Sequence, residues 1–482
     1  MGKLSAIIWG IAWRTLAFAL AVTALLFAMN NRPVWDARKH YETQNTKLIG
    51  RVGVAIVALT MPEKYEPMFF ENFLDKVFTE VIPWPVNVLA GADAGIALID
   101  PTNPRATARF EPKVLADIWG RTSDIDGVPW ADKYKRGEVR FVKPSANVAH
   151  DSGFFLYPKR KGGLRTATAK TLLKARYVMY ARLPNGYLPH FSQTKIMGEA
   201  ALTQLRSQHP IAAGAVVEAF NPAQMDQSIR AILDAGVDTV VLASVQPIYS
   251  DFEELKGSYS HVHHVIEAWQ KENANKPIKV VIAPYMATAP GFDALWAETL
   301  TSVAPNAVQP AQSSARVILS LHGLPITQMN SDSWTPRAKA ACDRIRPVLE
   351  AVMRGKGYAK VEVIQAAESF ADTAEDPKNE IVSVAEEYQR AKADKIDLAI
   401  ALPMEFMAEN TDTLFTHAAV MFDGQAGYTP YMAPPADINW GKPYVRRFKN
   451  GQTTIIYAGA PGGDAAPQAG SILADAIGTL WK

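Results

Sequence analysis

Arg316-Val-Ile-Leu-Ser-Leu-His-Gly-Leu-Pro325 runs from an apolar, β-branched stretch into a short loop closed by proline. That pattern predicts a buried strand which delivers a histidine at its carboxyl end. The soluble part of the chain opens on the same shape, Arg51-Val-Gly-Val-Ala-Ile-Val-Ala-Leu-Thr-Met-Pro62. Two such openings predict two α/β units with a cleft where their strand ends converge. Further buried strands are read at Ala213–Ala219, Thr239–Ala243, Lys279–Ala283, Val361–Ile364 and Leu398–Leu402. Helical stretches alternate with them at Pro67–Glu80, Gln193–Ser207, Pro222–Ala235, His261–Asn273, Phe292–Ser302, Pro336–Gly355 and Asn379–Ala393. Repeated strand and helix in this order predict two Rossmann-like halves, each a doubly wound parallel sheet.

The expected division is an N-terminal anchor or signal over 1–30, a polar stalk over 31–50, a first half over 51–310 and a second half over 311–425. An insertion at about 86–185, rich in Pro, Gly, Trp and basic residues, interrupts the first half. A C-terminal extension over 426–482 carries a strand at Thr453–Tyr457 and a helix near Ser471–Leu480.

Of 482 residues, 48% are hydrophobic and 20% charged, which excludes disordered, collagenous and disulfide-scaffold classes. Fifty Lys and Arg against 48 Asp and Glu leave a net charge of +2 with no basic block, so general nucleic-acid binding is excluded as well. Cys342 is the single cysteine. No intrachain disulfide, all-thiolate zinc site or iron–sulfur cluster can then be held by this chain alone, and a metal must meet nitrogen or oxygen.

Residues Leu4 to Met29 are nearly all apolar, with Arg14 as the interruption. Thr15–Met29 alone is short against the ~20 residues that cross a bilayer, but a run from about Ile7 suffices if Arg14 extends toward the headgroups. A single-pass transmembrane anchor is therefore expected, with a cleavable signal, and hence a secreted or periplasmic protein, as its rival. Lys3 and Arg14 precede the apolar run while Arg32, Arg38 and Lys39 follow it, which leaves the side of the membrane open.

His322, two residues beyond Ser320, is suited to accepting a proton or binding a divalent metal near neutral pH. Asp412 follows another strand, Leu398–Leu402, and a histidine paired with such a carboxylate makes a proton acceptor or a sulfur-free metal site. His261 and His264 share a helix face downstream of Asp251, Glu253 and Glu254, which suggests an outer ion-loading site beside the ordinary alternative of a solvated helix start. Trp119, Trp130, Tyr187, Phe191 and Tyr249 are candidates to face a planar ring, although most aromatic residues fill core. Arg160 and Lys161 stand in a basic loop suited to an anionic ligand group or simply solvated, and His417 is a candidate for the cleft.

Ile318-Leu-Ser-Leu-His-Gly-Leu-Pro325 resembles the ferrochelatase signature, in which a strand runs into Ser-x-His-Ser/Gly-Leu-Pro. Other pieces fall in that family's order. Val52–Pro62 is similar to its opening strand, Gly186-Tyr-Leu-Pro-His-Phe-Ser192 to its Gly-Ser-Pro-Leu loop, Phe220-Asn-Pro222 to Gly-Asn-Pro, and Val245-Gln-Pro-Ile-Tyr-Ser250 to Leu-Pro-Leu-Tyr-Pro-Gln. Glu409-Asn-Thr-Asp-Thr-Leu414 resembles Asp-His-x-Glu-Thr-Leu. Asp412 there replaces a usual Glu, Asn410 a usual His, and Thr60 a usual Gly.

The resemblance implies a chelatase fold that inserts a divalent metal, ferrous iron first, into a tetrapyrrole. His322 is then the main proton acceptor or metal ligand, Asp412 its carboxylate partner, and Tyr249, Tyr187 and Phe191 the substrate-binding residues. The metal, Fe2+ or Co2+, is substrate, with no tightly bound cofactor. The alternatives are a membrane-tethered haem or porphyrin binder without turnover and a cobalt chelatase acting on a sirohydrochlorin-like ring. A hydrolase using Ser320 or Ser333 lacks the Gly-x-Ser-x-Gly elbow.

Overall fold

The computed structural model describes residues 13–29, 32, 47–66, 69–70, 73, 96–98, 114–116, 122–124, 126–142, 154–157, 175–248, 250–274, 276–321, 334–368, 381–422, 425–429 and 432–482. In chain order the elements are β1 (Val52–Ala58), β2 (Ile96–Leu98), α1 (Trp130–Lys135), β3 (Arg140–Val142), β4 (Phe154–Tyr157), α2 (His190–Gln208), β5 (Ile211–Glu218), α3 (Pro222–Asp234) and β6 (Thr239–Ser244). A π-helical stretch, Asp251–Tyr259, leads into α4 (Ser260–Glu272), then β7 (Lys279–Ile282), α5 (Pro290–Val303), β8 (Ser314–Leu321), α6 (Trp334–Gly355), β9 (Lys360–Ala367), α7 (Val384–Ala393) and β10 (Leu398–Pro403). A second π-helical stretch, Asp412–Thr416, precedes α8 (His417–Phe422), β11 (Arg446–Asn450), β12 (Thr453–Tyr457) and α9 (Ala466–Gly478).

Every residue of β1, β8 and β10 is buried, as expected of apolar strands covered on both faces. The first sheet has the order β5-β1-β6-β7, all parallel. In the second, β11-β12-β10-β8-β9, all pairs are parallel except the β11 edge. With the parallel strands of each sheet renumbered in chain order, both sheets read 2-1-3-4. β1 and β8 hold the same place, which gives the similarity between Arg51–Pro62 and Arg316–Pro325 a structural meaning. Local signals agree with the helices: the Asn221 side chain caps α3 at Gln224 N–H with Pro222 in the first turn, and Ser383 caps α7.

One apolar core joins the halves. It runs from Val54, Ile56 and Val241 through Phe292 and Trp296 to Val317, Leu319 and Ile400, with Leu473 and Ile477 of α9 in the same cluster. The boundary expected at residue 425 does not follow the sheet, because β11 and β12 complete the second sheet and α9 returns across the molecule to pack on α2. That contact is close enough that a Cβ on Gly470 would lie 2.4 Å from the Met197 carbonyl oxygen.

Within the expected insertion, β2, β4 and β3 form an antiparallel sheet with its own small core. Trp130 belongs to that core, beneath the buried Lys133 that Asp124, Asp126 and Tyr157 hold, so it is not a ring-facing residue. At the other end, residues 13–29 are helical, yet among the described residues no helix is long and apolar enough to cross a membrane. The transmembrane helix expected from about Ile7 therefore finds no support in the fold, and its first residues lie outside the described ones.

Candidate active-site seam between the two halves

β8 ends at Leu321 on the carboxyl edge of the second sheet, flanked by β9 and β10. His322, the next residue, lies outside the described residues, as do Tyr249, Trp119, Arg160 and Lys161. The neighbouring strands place acids at this edge. Glu368 N–H donates to the Leu321 carbonyl at 2.9 Å and Met404 N–H to that of Ser320 at 3.0 Å, with buried Glu405 next in the chain.

Asp412 heads the π-helical stretch after β10. The Asn410 side chain fixes this start by accepting from Asp412 N–H at 2.8 Å and Thr413 N–H at 3.0 Å. Arg176, from helical residues 175–182 of the first half, grips the carboxylate through Nη1–Oδ1 at 2.9 Å and Nη2–Oδ2 at 3.4 Å, and also donates to the Thr411 hydroxyl. The first half repeats this construction. Asp251 heads the π-helical stretch after β6, and Arg337 of α6 in the second half meets it at 3.0 Å. Each half thus gives an arginine to the other's aspartate. The copies differ in access: the Asp251 side chain is 0% exposed, that of Asp412 21%. Asp251 is sealed as structure, while Asp412 meets solvent and can meet a ligand.

His190, the first residue of α2, is a further member of the seam. Its Nδ1 accepts from Met61 N–H at 3.0 Å, just past β1. Burial pushes its pKa down to about 4 against the opposing pull of Asp412. The ring is therefore neutral with its proton on Nε2, which makes it a hydrogen-bond donor and leaves no nitrogen lone pair for a metal. Sequence reading passed over it; its signal was a histidine directly after Pro189 at a helix start, inside the loop quoted for the family.

Behind Asp412 lies a buried polar layer. Glu409 accepts from Thr413 Oγ1 at 2.6 Å and from Ala460 N–H at 2.9 Å, and burial raises its pKa. Gly459, at φ +74°, lets the backbone pass there, since a Cβ would stand 2.4 Å from Glu409 Oε1. Arg446 lies 4.5 Å from the Tyr457 ring centre and donates to the carbonyls of Leu414 and Thr413 at 2.6 and 2.7 Å. His417 is buried among these groups.

The expected outer ion site is not formed. His261 Nε2 meets Asp226 of α3 at 2.8 Å, His264 is exposed, and Asp251 faces Arg337. Among the described residues no group of three or more His, Cys, Asp or Glu is placed to hold a metal ion. Of the expected ring-facing residues, Tyr187 pairs its hydroxyl with Ser192 Oγ at 3.1 Å, and Phe191 lines a groove of about 470 Å³ beside α2 with Lys195 and Glu199.

Residues 146–421, more than half of the chain, match the family model described as Ferrochelatase. This chain belongs to the ferrochelatase family. The family match includes Arg176, His190, His322, Glu368 and Asp412 and excludes β1, β12 and α9. No curated protein matches. Among solved structures, an ABC transporter solute-binding protein from Clostridium phytofermentas with bound L-rhamnose is 12% identical, with 62% of this chain and 79% of that chain covered and a TM-score of 0.24. A solute-binding protein from Burkholderia graminis with D-arabinose is also 12% identical, with 44% and 61% covered and a TM-score of 0.18. Scores this low carry no weight beside the family match.

Two outcomes follow from this geometry. Arg337→Met, which takes the guanidinium away from the buried Asp251, lowers unfolding free energy by about 3 kcal/mol, and Arg176→Met, at the open pair, by about 1 kcal/mol; urea denaturation of both variants measures the difference, and equal losses would refute the division of roles. For His190 the unfolded chain takes up its proton near pH 6.5 and the folded chain near 4, so folding loses stability as pH falls across that window. His190→Asn, which keeps an acceptor for Met61 N–H, flattens the stability profile there by up to about 3 kcal/mol.

Proposed function

We propose that this family member inserts a divalent metal ion, ferrous iron in the first place, into a tetrapyrrole held at the seam, with His322 accepting pyrrole protons and Asp412 as the carboxylate partner. The observation that carries this reading is the unequal pair of aspartates: the one at the family's acidic position is open to ligand, and its copy in the other half is sealed. Metallation needs two N–H protons to leave while the ion sheds water, and a base with an anionic escort serves both needs. Arg176 fits as the control on that escort. Its guanidinium fork matches any carboxylate, so the acid side chains of an incoming macrocycle exchange with Asp412 and set it free for the metal. Neutral His190 adds a donor on the same wall.

A second reading, a tetrapyrrole binder without turnover, is favoured by Asp412 being neutralised by Arg176 and one methylene shorter than the usual Glu, with Asn410 committed to backbone N–H groups. The apolar N-terminal helix supports a membrane tether in either case, because Trp13, Phe18, Leu20 and Leu25 stand exposed on residues 13–29.

Fluorescence-followed insertion of Zn2+, Fe2+ or Co2+ into protoporphyrin and a sirohydrochlorin-like ring separates the readings. The chelatase reading expects turnover that falls about a hundredfold or more in His322→Ala and Asp412→Asn, with the Soret shift of binding retained. Tight binding with no insertion of any metal replaces it by the binder. For the tether, the full chain is expected to float with lipid vesicles and a chain lacking residues 1–30 to stay in solution; equal behaviour of the two removes the tether.

A further inference from the structure

Glu368, the residue after β9, is the least accommodated polar group at the edge where β8 ends. Its side chain is 0% exposed, and neither carboxyl oxygen has a hydrogen-bond partner among the described residues. Its backbone is tied to Leu321, the residue before His322. His417 of α8, also buried, places Nδ1 3.8 Å from Glu368 Oε2 and 3.4 Å from the Tyr457 hydroxyl.

Among the described residues, Tyr388, Arg446 and Tyr457 also surround this pair. From α7, the Tyr388 hydroxyl donates to the Ile456 carbonyl at 2.9 Å. From β11, Arg446 pulls Glu368 toward the charged form while its own N–H groups donate to Leu414 and Thr413. From β12 comes Tyr457, whose ionisation the buried Glu405 and Glu409 oppose. Desolvation outweighs Arg446 and raises the Glu368 pKa well above the ordinary carboxyl range, which favours the protonated, neutral form. A buried acid with no hydrogen-bond partner among the described residues costs stability.

We propose that Glu368 and His417 form an internal proton relay that drains the carboxyl end of β8 during metallation. This rests on the chelatase reading above. In the relay the Glu368 O–H breaks as an N–H forms on His417, across a gap that a small side-chain rotation closes to hydrogen-bond range. The carboxylate left behind takes up one proton that leaves a pyrrole nitrogen and reaches it through the groups touching the ring, and the imidazolium releases its proton to water. The pair ends as it began, with one proton moved and no oxidant or reductant needed. Glu368 and His417 act through the groups that touch the ring, so they are relay residues and not ring contacts.

Infrared spectroscopy of the full chain tests the starting state. A protonated-carboxyl band is expected at neutral pH that is missing from Glu368→Gln, and its absence from the native chain overturns the proposal. Macrocycle binding is expected to change that band in the native chain and to leave it unchanged in His417→Gln; a band indifferent to binding in both also overturns the relay. In the zinc-insertion assay Glu368→Gln lowers kcat about a hundredfold with KM unchanged, alters the pH–rate profile, and is partly rescued by Glu368→Asp. Native-like rates and pH profile in Glu368→Gln, with circular dichroism showing it folded, refute the relay. Absence of insertion by the native chain refutes the chelatase reading instead, and the infrared arms still decide proton exchange within the pair.

Discussion

The exchange of arginines between the halves is the constraint on which the seam depends. Arg176 leaves the first half to meet Asp412, and Arg337 leaves the second to meet Asp251. Both aspartates open a π-helical stretch beyond the third parallel strand of their own sheet. A carboxylate sealed beside a guanidinium is costly to separate, so the Asp251 pair fixes how the two sheet edges face each other. The more open pair then has a defined place to open from. The shared apolar core supplies association between the halves, and the ion pairs supply registry.

Much of this architecture was legible because buried parallel strands announce themselves as uninterrupted apolar runs. The strands read from Val52, Thr239, Lys279, Arg316 and Leu398 all exist, with ends displaced by no more than two residues. The C-terminal region was harder. β12 was recognised as a strand, but Thr-Thr-Ile-Ile-Tyr says nothing about its neighbour, and the pairing with β10 is a long-range contact with no local signature. The edge strand β11, Arg-Arg-Phe-Lys-Asn, holds one apolar residue among polar ones and so does not stand out as a strand.

The site was legible in part and for a physical reason. Asp412 could be located because a short motif carries it, and family membership supports the motif's setting. Its partner could not: Arg176 lies 236 positions away in sequence, in a region whose composition suggested only an insertion. His190 was equally hidden, because its tautomer is dictated by one backbone N–H from beyond β1. The histidine cluster at His261–His264 misled in the opposite direction. Its spacing fits a metal face, yet Asp226 of the adjacent helix takes the outer nitrogen of His261 and ties α3 to α4.

The two halves share a topology but not a cost. In the first, the acid after β6, Glu254, is closed by Ser250 N–H at 2.7 Å and by the Ser244 hydroxyl at 3.3 Å. In the second, Glu368, the Ser320 hydroxyl and Arg446 Nε are buried without hydrogen-bond partners among the described residues, all near the edge where β8 and β9 end or just behind it. Folding alone would remove such groups, since each is worth roughly 1–3 kcal/mol when left unsatisfied. Neither half is free of such groups, since Gln193 Oε1 and Ser258 Oγ of the first are buried without partners among the described residues as well, but Glu368 is the carboxylate with both oxygens in that state. The second half thus holds Asp412 and Glu368 at its strand ends, and the first half supplies Arg176 and His190 to the same seam.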